Sequence, residues 1–206
     1  MKLDENKMDA ICRLIEKTRK ETINHDFLKL GLKTLLKLYT SLNDIEKFYK
    51  IVDLSVLQCR EQSKDIQHRI VCKKGCGSCC NIGVEIGSLE AKSIVDYIVK
   101  NKIEISIGKL TKQSGTIASN WESLGHDKSC VFLKNNICQI YEVRPVACRL
   151  FLVCDDVSKC NDLLKKENNI LFFRPIKLDI IKYCMLFCEN LGDLPSMILS
   201  ELKNKN

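Results

Sequence analysis

Four cysteines fall within nine residues of this chain, and this cluster restricts the possible folds more than any other feature. The segment is Cys72-Lys73-Lys74-Gly75-Cys76-Gly77-Ser78-Cys79-Cys80. Core packing does not require such a density, because a buried free cysteine behaves as a small apolar residue. Metal binding, in contrast, needs thiolates that converge. Gly75 and Gly77 permit positive φ angles, so the backbone of the cluster can turn tightly.

A second group of cysteines lies downstream. Nine of the thirteen cysteines fall between positions 72 and 160. Structural zinc sites commonly assemble from two ligand groups that are separated in sequence, because one short loop rarely supplies four converging donors. We therefore expect a metal site whose ligands are Cys72, Cys76, Cys79, Cys80, Cys130, Cys138, Cys148 and Cys160, with Cys154 as a further candidate.

The adjacent pair Cys79 and Cys80 bears on the number of metal atoms. Neighbouring side chains point to opposite faces of a strand, and they diverge by roughly 100° in a helix. One small tetrahedral ion cannot easily take both sulfurs. The pair therefore predicts two metal ions, or different irons of one cluster.

The length and composition are typical of a soluble globular protein. The chain has 206 residues, of which 45% are hydrophobic and 29% are charged. It has no apolar run near the roughly 20 residues that cross a bilayer, and charged residues occupy the positions where a signal peptide would be apolar. The thirteen cysteines are an odd number in a chain longer than most disulfide scaffolds. We therefore expect a cytoplasmic protein with reduced, metal-binding thiols.

The net charge of +7 comes from lysines and arginines that are scattered among 26 acidic residues. A nucleic-acid-binding surface usually concentrates its cations in a patch or stripe. We therefore expect metal ions as partners, with nucleic acid and membranes disfavoured and no protein partner identified. A lysine stripe beginning at Lys73 and Lys74 would instead indicate a nucleic-acid-binding zinc protein.

Apolar residues at helical spacing predict a mainly α fold, a single helical domain with a small β-hairpin and a cysteine-ligated metal site. Its parts are an N-terminal helical segment (1–70), the cysteine-cluster region (71–160) and C-terminal helices that pack on the same domain (161–206). Within the last two parts we expect helices near 88–100, beginning at a serine N-cap, and near 109–123, 161–167, 178–190 and 194–203.

Four cysteines outside the cluster lie in apolar stripes. They are Cys12, Cys59, Cys184 and Cys188. Cys184 and Cys188 are also spaced i and i+4, which would suit a metal. The continuous apolar face around them favours a core role for all four.

Residues 130–142 alternate like the strands of a hairpin, and asparagine in the turn tolerates the left-handed conformation. A three-residue loop at 134–136 pairs Phe132 with Cys138, which places Cys130 and Cys138 on one face. A two-residue loop places them on opposite faces. Shared metal ligation favours the three-residue loop.

Two arginines flank Cys148. Arg144-Pro145 begins a helix, because proline fits the first turn, and Arg149 directly follows the cysteine. The arginines can offset the negative charge of a tetrathiolate site, or they can pair with carboxylates such as Glu142. The sequence leaves both roles open.

The two cysteine blocks resemble a known family. The order Cys72-x3-Cys76-Gly77-x-Cys79-Cys80, Cys130-Val-Phe-Leu, Cys138-Gln-Ile-Tyr-Glu-Val-Arg-Pro and Ala147-Cys148-Arg149 is similar to that of the zinc- or iron-chelating cysteine-cluster family with the signature CxxCxxCC. This chain has three residues, rather than two, between Cys72 and Cys76. The resemblance spans about residues 70–160 and implies metal binding without a particular reaction.

The same region also looks like the cysteine-cluster region of flagellin lysine methylases, which implies an iron–sulfur protein involved in protein modification. Three hypotheses therefore stand: a metal-binding protein with zinc or an iron–sulfur centre, a cluster-dependent protein-modifying enzyme, and a nucleic-acid-binding zinc protein. The sequence contains no nucleotide-binding, nucleophile-elbow or metalloprotease motif. We favour the metal-binding protein.

Overall fold

The computed structural model describes residues 4–41, 45–62, 70–154, 160, 172–188 and 191–205. Helices dominate this part of the chain, which confirms the mainly α prediction. They are α1 (Glu5–Arg19), α2 (His25–Ser41), α3 (Ile45–Gln62), α4 (Ser88–Lys100), α5 (Ile107–Gln113), α6 (Val146–Leu150), α7 (Ile176–Cys188) and α8 (Leu194–Lys205). The helix predicted at 161–167 lies outside the described residues. Within the described ranges, no helix combines the length and apolarity needed to cross a membrane.

Two pairs of short antiparallel strands accompany the helices. β1 (Glu85–Ile86) pairs with β4 (Gly192–Asp193), and β2 (Leu133–Lys134) pairs with β3 (Ile137–Cys138). The first pair was not predicted, because strands of two residues are too short to show alternation. It places the beginning of α8 beside the segment that follows the first cysteine group.

The N-terminal helices pack through the apolar stripes that are visible in the sequence. α1 buries Met8, Ile11, Cys12 and Ile15. α2 packs against α7, and Gly31 of α2 lies against Ile180 of α7, since a Cβ atom at Gly31 would lie 3.1 Å from Ile180 Cδ1. The apolar cluster continues from these helices into the cysteine region and α8.

Three of the four isolated cysteines belong to this apolar core, as predicted. Cys12, Cys59 and Cys184 are fully buried, and burial raises the pKa of the Cys12 and Cys59 thiols. The side chain of Cys188 lies outside the described residues.

α4 has the predicted length, but its N-cap is Gly87 rather than Ser88. The Gly87 N–H donates to Glu90 Oε2 at 3.3 Å, and the Val146 N–H donates to Glu90 Oε1 at 2.7 Å. Glu90 is only 2% exposed. This one buried carboxylate therefore caps α4 and also holds the beginning of α6, the helix that carries Cys148.

The prediction of one helix near 109–123 is wrong in part, because two elements occupy this segment. α5 ends at Gln113, and 3-10 turns span Ala118–Lys128. Gly115 lies between them with a φ of 78°, a left-handed conformation that a helix does not continue through. Trp121 lies in the 3-10 segment, and its indole N–H donates to the Lys128 carbonyl at 2.8 Å.

The predicted hairpin is present, but the prediction of a three-residue loop is wrong. Leu133 pairs with Cys138 and Lys134 with Ile137, so the loop consists of Asn135 and Asn136. Both asparagines are left-handed, with φ values of 51° and 61°. Two consecutive residues with positive φ form the hairpin loop that best matches the twist of the strands.

Candidate metal site

All eight cysteines that the sequence predicts as ligands line one cavity of about 110 Å³. They are Cys72, Cys76, Cys79, Cys80, Cys130, Cys138, Cys148 and Cys160. Cys154 is buried and forms a backbone bridge with Ile70, and it is not among the described residues that line the cavity. The fold thus brings both cysteine groups to one place.

Two successive turns shape the first cysteine group. The Cys76 N–H donates to the Lys73 carbonyl at 3.1 Å, and the Cys80 N–H donates to the Gly77 carbonyl at 3.0 Å. Gly75 adopts a φ of 87°, a left-handed conformation that glycine takes without a steric penalty. These turns reverse the backbone twice within nine residues and turn its sulfurs toward one cavity.

Backbone hydrogen bonds join the two cysteine groups. The Cys130 N–H donates to the Cys80 carbonyl at 2.6 Å, and the Leu133 N–H donates to the Cys130 carbonyl at 2.9 Å. Cys130 therefore lies in a tight turn before β2, where strand alternation does not apply. This turn explains why Cys130 and Cys138 share the cavity although the hairpin has a two-residue loop.

Cys72 also reaches the cavity, despite the additional residue before Cys76. The Val153 N–H donates to Cys72 Sγ at 3.2 Å, and the Val71 N–H donates to the Val153 carbonyl at 3.0 Å. The segment that precedes the first group is thereby fixed against the segment that follows α6.

Gly77 packs directly on the hairpin loop. A Cβ atom at this position would lie 2.5 Å from Asn136 Oδ1, 2.8 Å from Leu133 Cδ1 and 3.0 Å from the Asn136 carbonyl oxygen. The carbonyl oxygen cannot move without a shift of the loop backbone. The absence of a side chain therefore lets the two cysteine groups approach.

We expect Gly77→Ala to lower both thermal stability and metal content. Overpacking of this kind typically costs about 1–3 kcal/mol, and here it would separate the first cysteine group from Cys138. Gly108→Ala is the matched control, because nothing lies within 4 Å of a Cβ atom at that position. Circular dichroism melts and metal analysis measure the two effects. A Gly77→Ala protein as stable and as fully loaded as the wild type would show that this contact does not matter.

Cys79 affects the pKa of several other cysteines that line the cavity. Its hydrogen bond with the Cys80 thiol is the largest factor that raises its pKa, and burial is the second. The four cysteines whose pKa it raises are Cys72, Cys130, Cys138 and Cys148. Cys79 and Cys80 both line the cavity, and their binding to two different metal atoms stays a prediction.

Burial keeps several of these thiols neutral. It raises the pKa of Cys130 to about 11 and that of Cys148 well above the usual value. Burial also raises the pKa of Cys138. Near pH 7 such a thiol is protonated, so each one that binds a metal must release a proton. Metal affinity is therefore expected to increase with pH.

Both arginines beside Cys148 lie near a carboxylate, which is one of the two roles that the sequence left open. Arg149 is 2% exposed and pairs with Asp53, and Arg144 Nη2 lies 3.7 Å from the same carboxylate. The charge of Arg144 also favours the thiolate forms of Cys79 and Cys138. The carboxylate partner is therefore Asp53, whereas the Glu142 carboxylate pairs with Lys74 at 2.7 Å.

The donor chemistry of the cavity suits zinc or iron. Sulfur ligands select zinc and iron–sulfur centres, and cations offset the thiolate charge. Four cationic side chains line the cavity with the cysteines: Arg60, Lys73, Arg144 and Arg149. Among the described residues, no three cysteine, histidine or carboxylate side chains converge closely enough to hold one ion. The structure therefore shows a cavity lined by thiols, and it does not show a closed ligand shell.

Sequence reasoning missed the contribution of α3 to this site. Tyr49, Asp53, Val56 and Arg60 contact the cysteine region from one side of the helix. Their spacing was visible in the sequence, but aspartate and arginine in such a stripe usually indicate a solvent-facing surface. Leu194 and Pro195 at the beginning of α8 also line the cavity.

Residues 71–171 match the model of the CxxCxxCC family, described as “Putative zinc- or iron-chelating domain”. The matched range contains all eight cysteines that line the cavity. No curated protein and no solved structure matches the chain.

Proposed function

We propose that this chain is a metal-binding protein with a polynuclear zinc or iron centre, because residues 71–171 match the model of the CxxCxxCC family. The observation that carries the proposal is that eight cysteines from two distant segments line one cavity. A structural zinc ion takes four thiolates, and so does a typical iron–sulfur cluster. Eight sulfurs therefore exceed what one mononuclear site uses.

In this proposal each part of the chain has a separate task. Residues 71–160 supply the ligands, and residues 1–70 and 161–206 form the helical support on the same domain. Reduced thiols suit a cytoplasmic location. Zinc enclosed by four sulfurs would stabilise the fold and leave no position for a substrate, whereas an iron–sulfur centre would support electron transfer or sensing.

Metal analysis of protein purified anaerobically with a reductant tests the proposal. Two zinc ions per chain in a colourless protein would identify a pair of structural sites. Iron with inorganic sulfide in a brown protein would identify a cluster. Protein that holds less than one equivalent of either metal, while all its thiols remain reduced, would contradict the proposed function.

Trp121 provides an independent measurement, because it is the one tryptophan of the chain and it lines the cavity. We expect its fluorescence to change as zinc or iron is added to protein stripped by a chelator, since a metal in the cavity alters the surroundings of the indole. The fluorescence titration curve is expected to change slope at the number of metal ions that the cavity binds. Uptake of metal without any change in emission would place the metal outside this cavity.

A further inference from the structure

One face of α3 contacts both halves of the cysteine cluster. Tyr49, Asp53, Val56 and Arg60 follow one another at i, i+4, i+7 and i+11, so their side chains lie along one side of the helix. α3 ends at Gln62, before the range of the family match begins at residue 71. The family signature therefore does not account for this face.

At one end of the face, Asp53 and Tyr49 hold the arginine that follows Cys148. Asp53 pairs with the Arg149 guanidinium, which also lies 4.2 Å from the centre of the Tyr49 ring. The Arg149 Nε donates to the Arg144 carbonyl at 2.9 Å, and a second nitrogen donates to the Glu142 carbonyl at 2.5 Å. Through Arg149, the helix holds the backbone that precedes Pro145, directly before α6 begins.

At the other end, Arg60 holds the first cysteine group. Its guanidinium donates to the backbone carbonyl of Cys72. Val56, between the two ends, lines the cavity together with Arg60. A single rigid helix thus touches the residue that begins the first ligand group and the short helix that carries Cys148.

We propose that α3 positions the two cysteine groups for metal binding, with Asp53 and Arg60 as the positioning residues. This inference rests on the proposed metal-binding function. Groups that orient metal ligands without touching the metal are needed for affinity, and their loss typically costs about 10–100-fold in metal binding. α3 performs this task from outside the cysteine region.

The direction in which Asp53→Asn changes the metal affinity separates a positioning role of Asp53 from a purely electrostatic one. Asp53 is one carboxylate shared by two arginines, so Asp53→Asn adds net positive charge beside the cavity. More positive charge alone would favour thiolates and tighten metal binding. A loss of positioning would weaken it, because the buried Arg149 guanidinium would lose its charged partner and α6 would shift.

The test compares zinc affinities, measured by competition with a chromophoric chelator. We expect Asp53→Asn to bind zinc about tenfold or more weakly than the wild type, and Asp53→Glu to recover part of the loss. Asp26→Asn is the matched control, since Asp26 is an exposed carboxylate on α2. Arg60→Lys keeps the positive charge beside the cavity but replaces the guanidinium that donates to the Cys72 carbonyl, and we expect it to bind zinc more weakly as well. Lys50→Arg, on an exposed position of the same helix, is its control.

Thermal melting of the metal-free and zinc-loaded proteins distinguishes a positioning role of α3 from a general contribution to stability. We expect each α3 variant to lose more stability in the loaded form than in the stripped form, because metal binding stabilises only a correctly placed ligand set. Equal losses in both forms, unchanged affinity in both variants, or tighter binding by Asp53→Asn would overturn the inference. If Asp53→Asn does not fold, Arg60→Lys and its control decide. A wild type that takes up no metal would instead contradict the proposed function itself.

Discussion

Cys79→Ser is expected to cause a large loss of bound metal. Cys79 lines the cavity together with cysteines of both groups. Its removal should therefore disturb ligands across the whole cavity. A serine hydroxyl stays protonated near pH 7 and is a poor ligand for zinc or iron. Metal stoichiometry of the purified variant measures the loss.

Three further serine substitutions make this experiment specific. Cys80→Ser should also lower bound metal, because Cys80 lines the same cavity. Cys12→Ser and Cys59→Ser should leave the metal content of folded protein unchanged, since both residues are buried in the apolar core. The metal content of each control must be measured per folded protein, because a buried serine hydroxyl lowers the stability by about 1–3 kcal/mol and so reduces the yield. Full metal content in Cys80→Ser would mean that the adjacent pair is not two ligands and would favour a single site.

The helices could be predicted from the sequence because each long helix repeats its apolar residues with the helical period. Met8, Ile11 and Ile15 on α1 are an example, and all three are buried. The pairing of β1 with β4 offered no comparable signal. Each of these strands has two residues, and their contact depends on how α8 returns to the segment after the first cysteine group.

The register of the hairpin shows where an argument from function failed. Shared ligation by Cys130 and Cys138 favoured a three-residue loop, on the assumption that the strands extend to Cys130. The two asparagines instead form a two-residue loop, and a turn at Cys130 ends the alternation. Local backbone preferences decided the register, and the turn brought the sulfurs to one cavity by another route.

The eight cysteines of the candidate site could be predicted from their density and grouping, but the supporting residues could not. Asp53 and Arg149 are 96 positions apart, and neither position alone indicates a partner. Contacts of this kind follow from the fold rather than from a local pattern.

Removal of the metal is expected to unfold residues 72–160 before the helices α1, α2 and α7. The binding free energy of a structural thiolate site is folding free energy, of order 10 kcal/mol for zinc. The two ligand groups have few other sources of order, since short turns and two-residue strands hold them, whereas α4 between them packs against α8. α1, α2 and α7, in contrast, pack through apolar stripes of their own.

Hydrogen exchange on protein treated with a chelator under reducing conditions measures this order of unfolding. Amides of the two ligand groups, such as those of Cys80 and Cys130, should lose protection first, and amides in the middle of α1 and α2 should keep theirs. α3 should respond between these extremes, because one of its faces supports the cysteine region and the other packs in the helical core. Zinc added back should restore protection, which excludes irreversible oxidation of the thiols. Unchanged exchange at Cys80 and Cys130 after proven metal loss would show that the fold of this region does not depend on the metal.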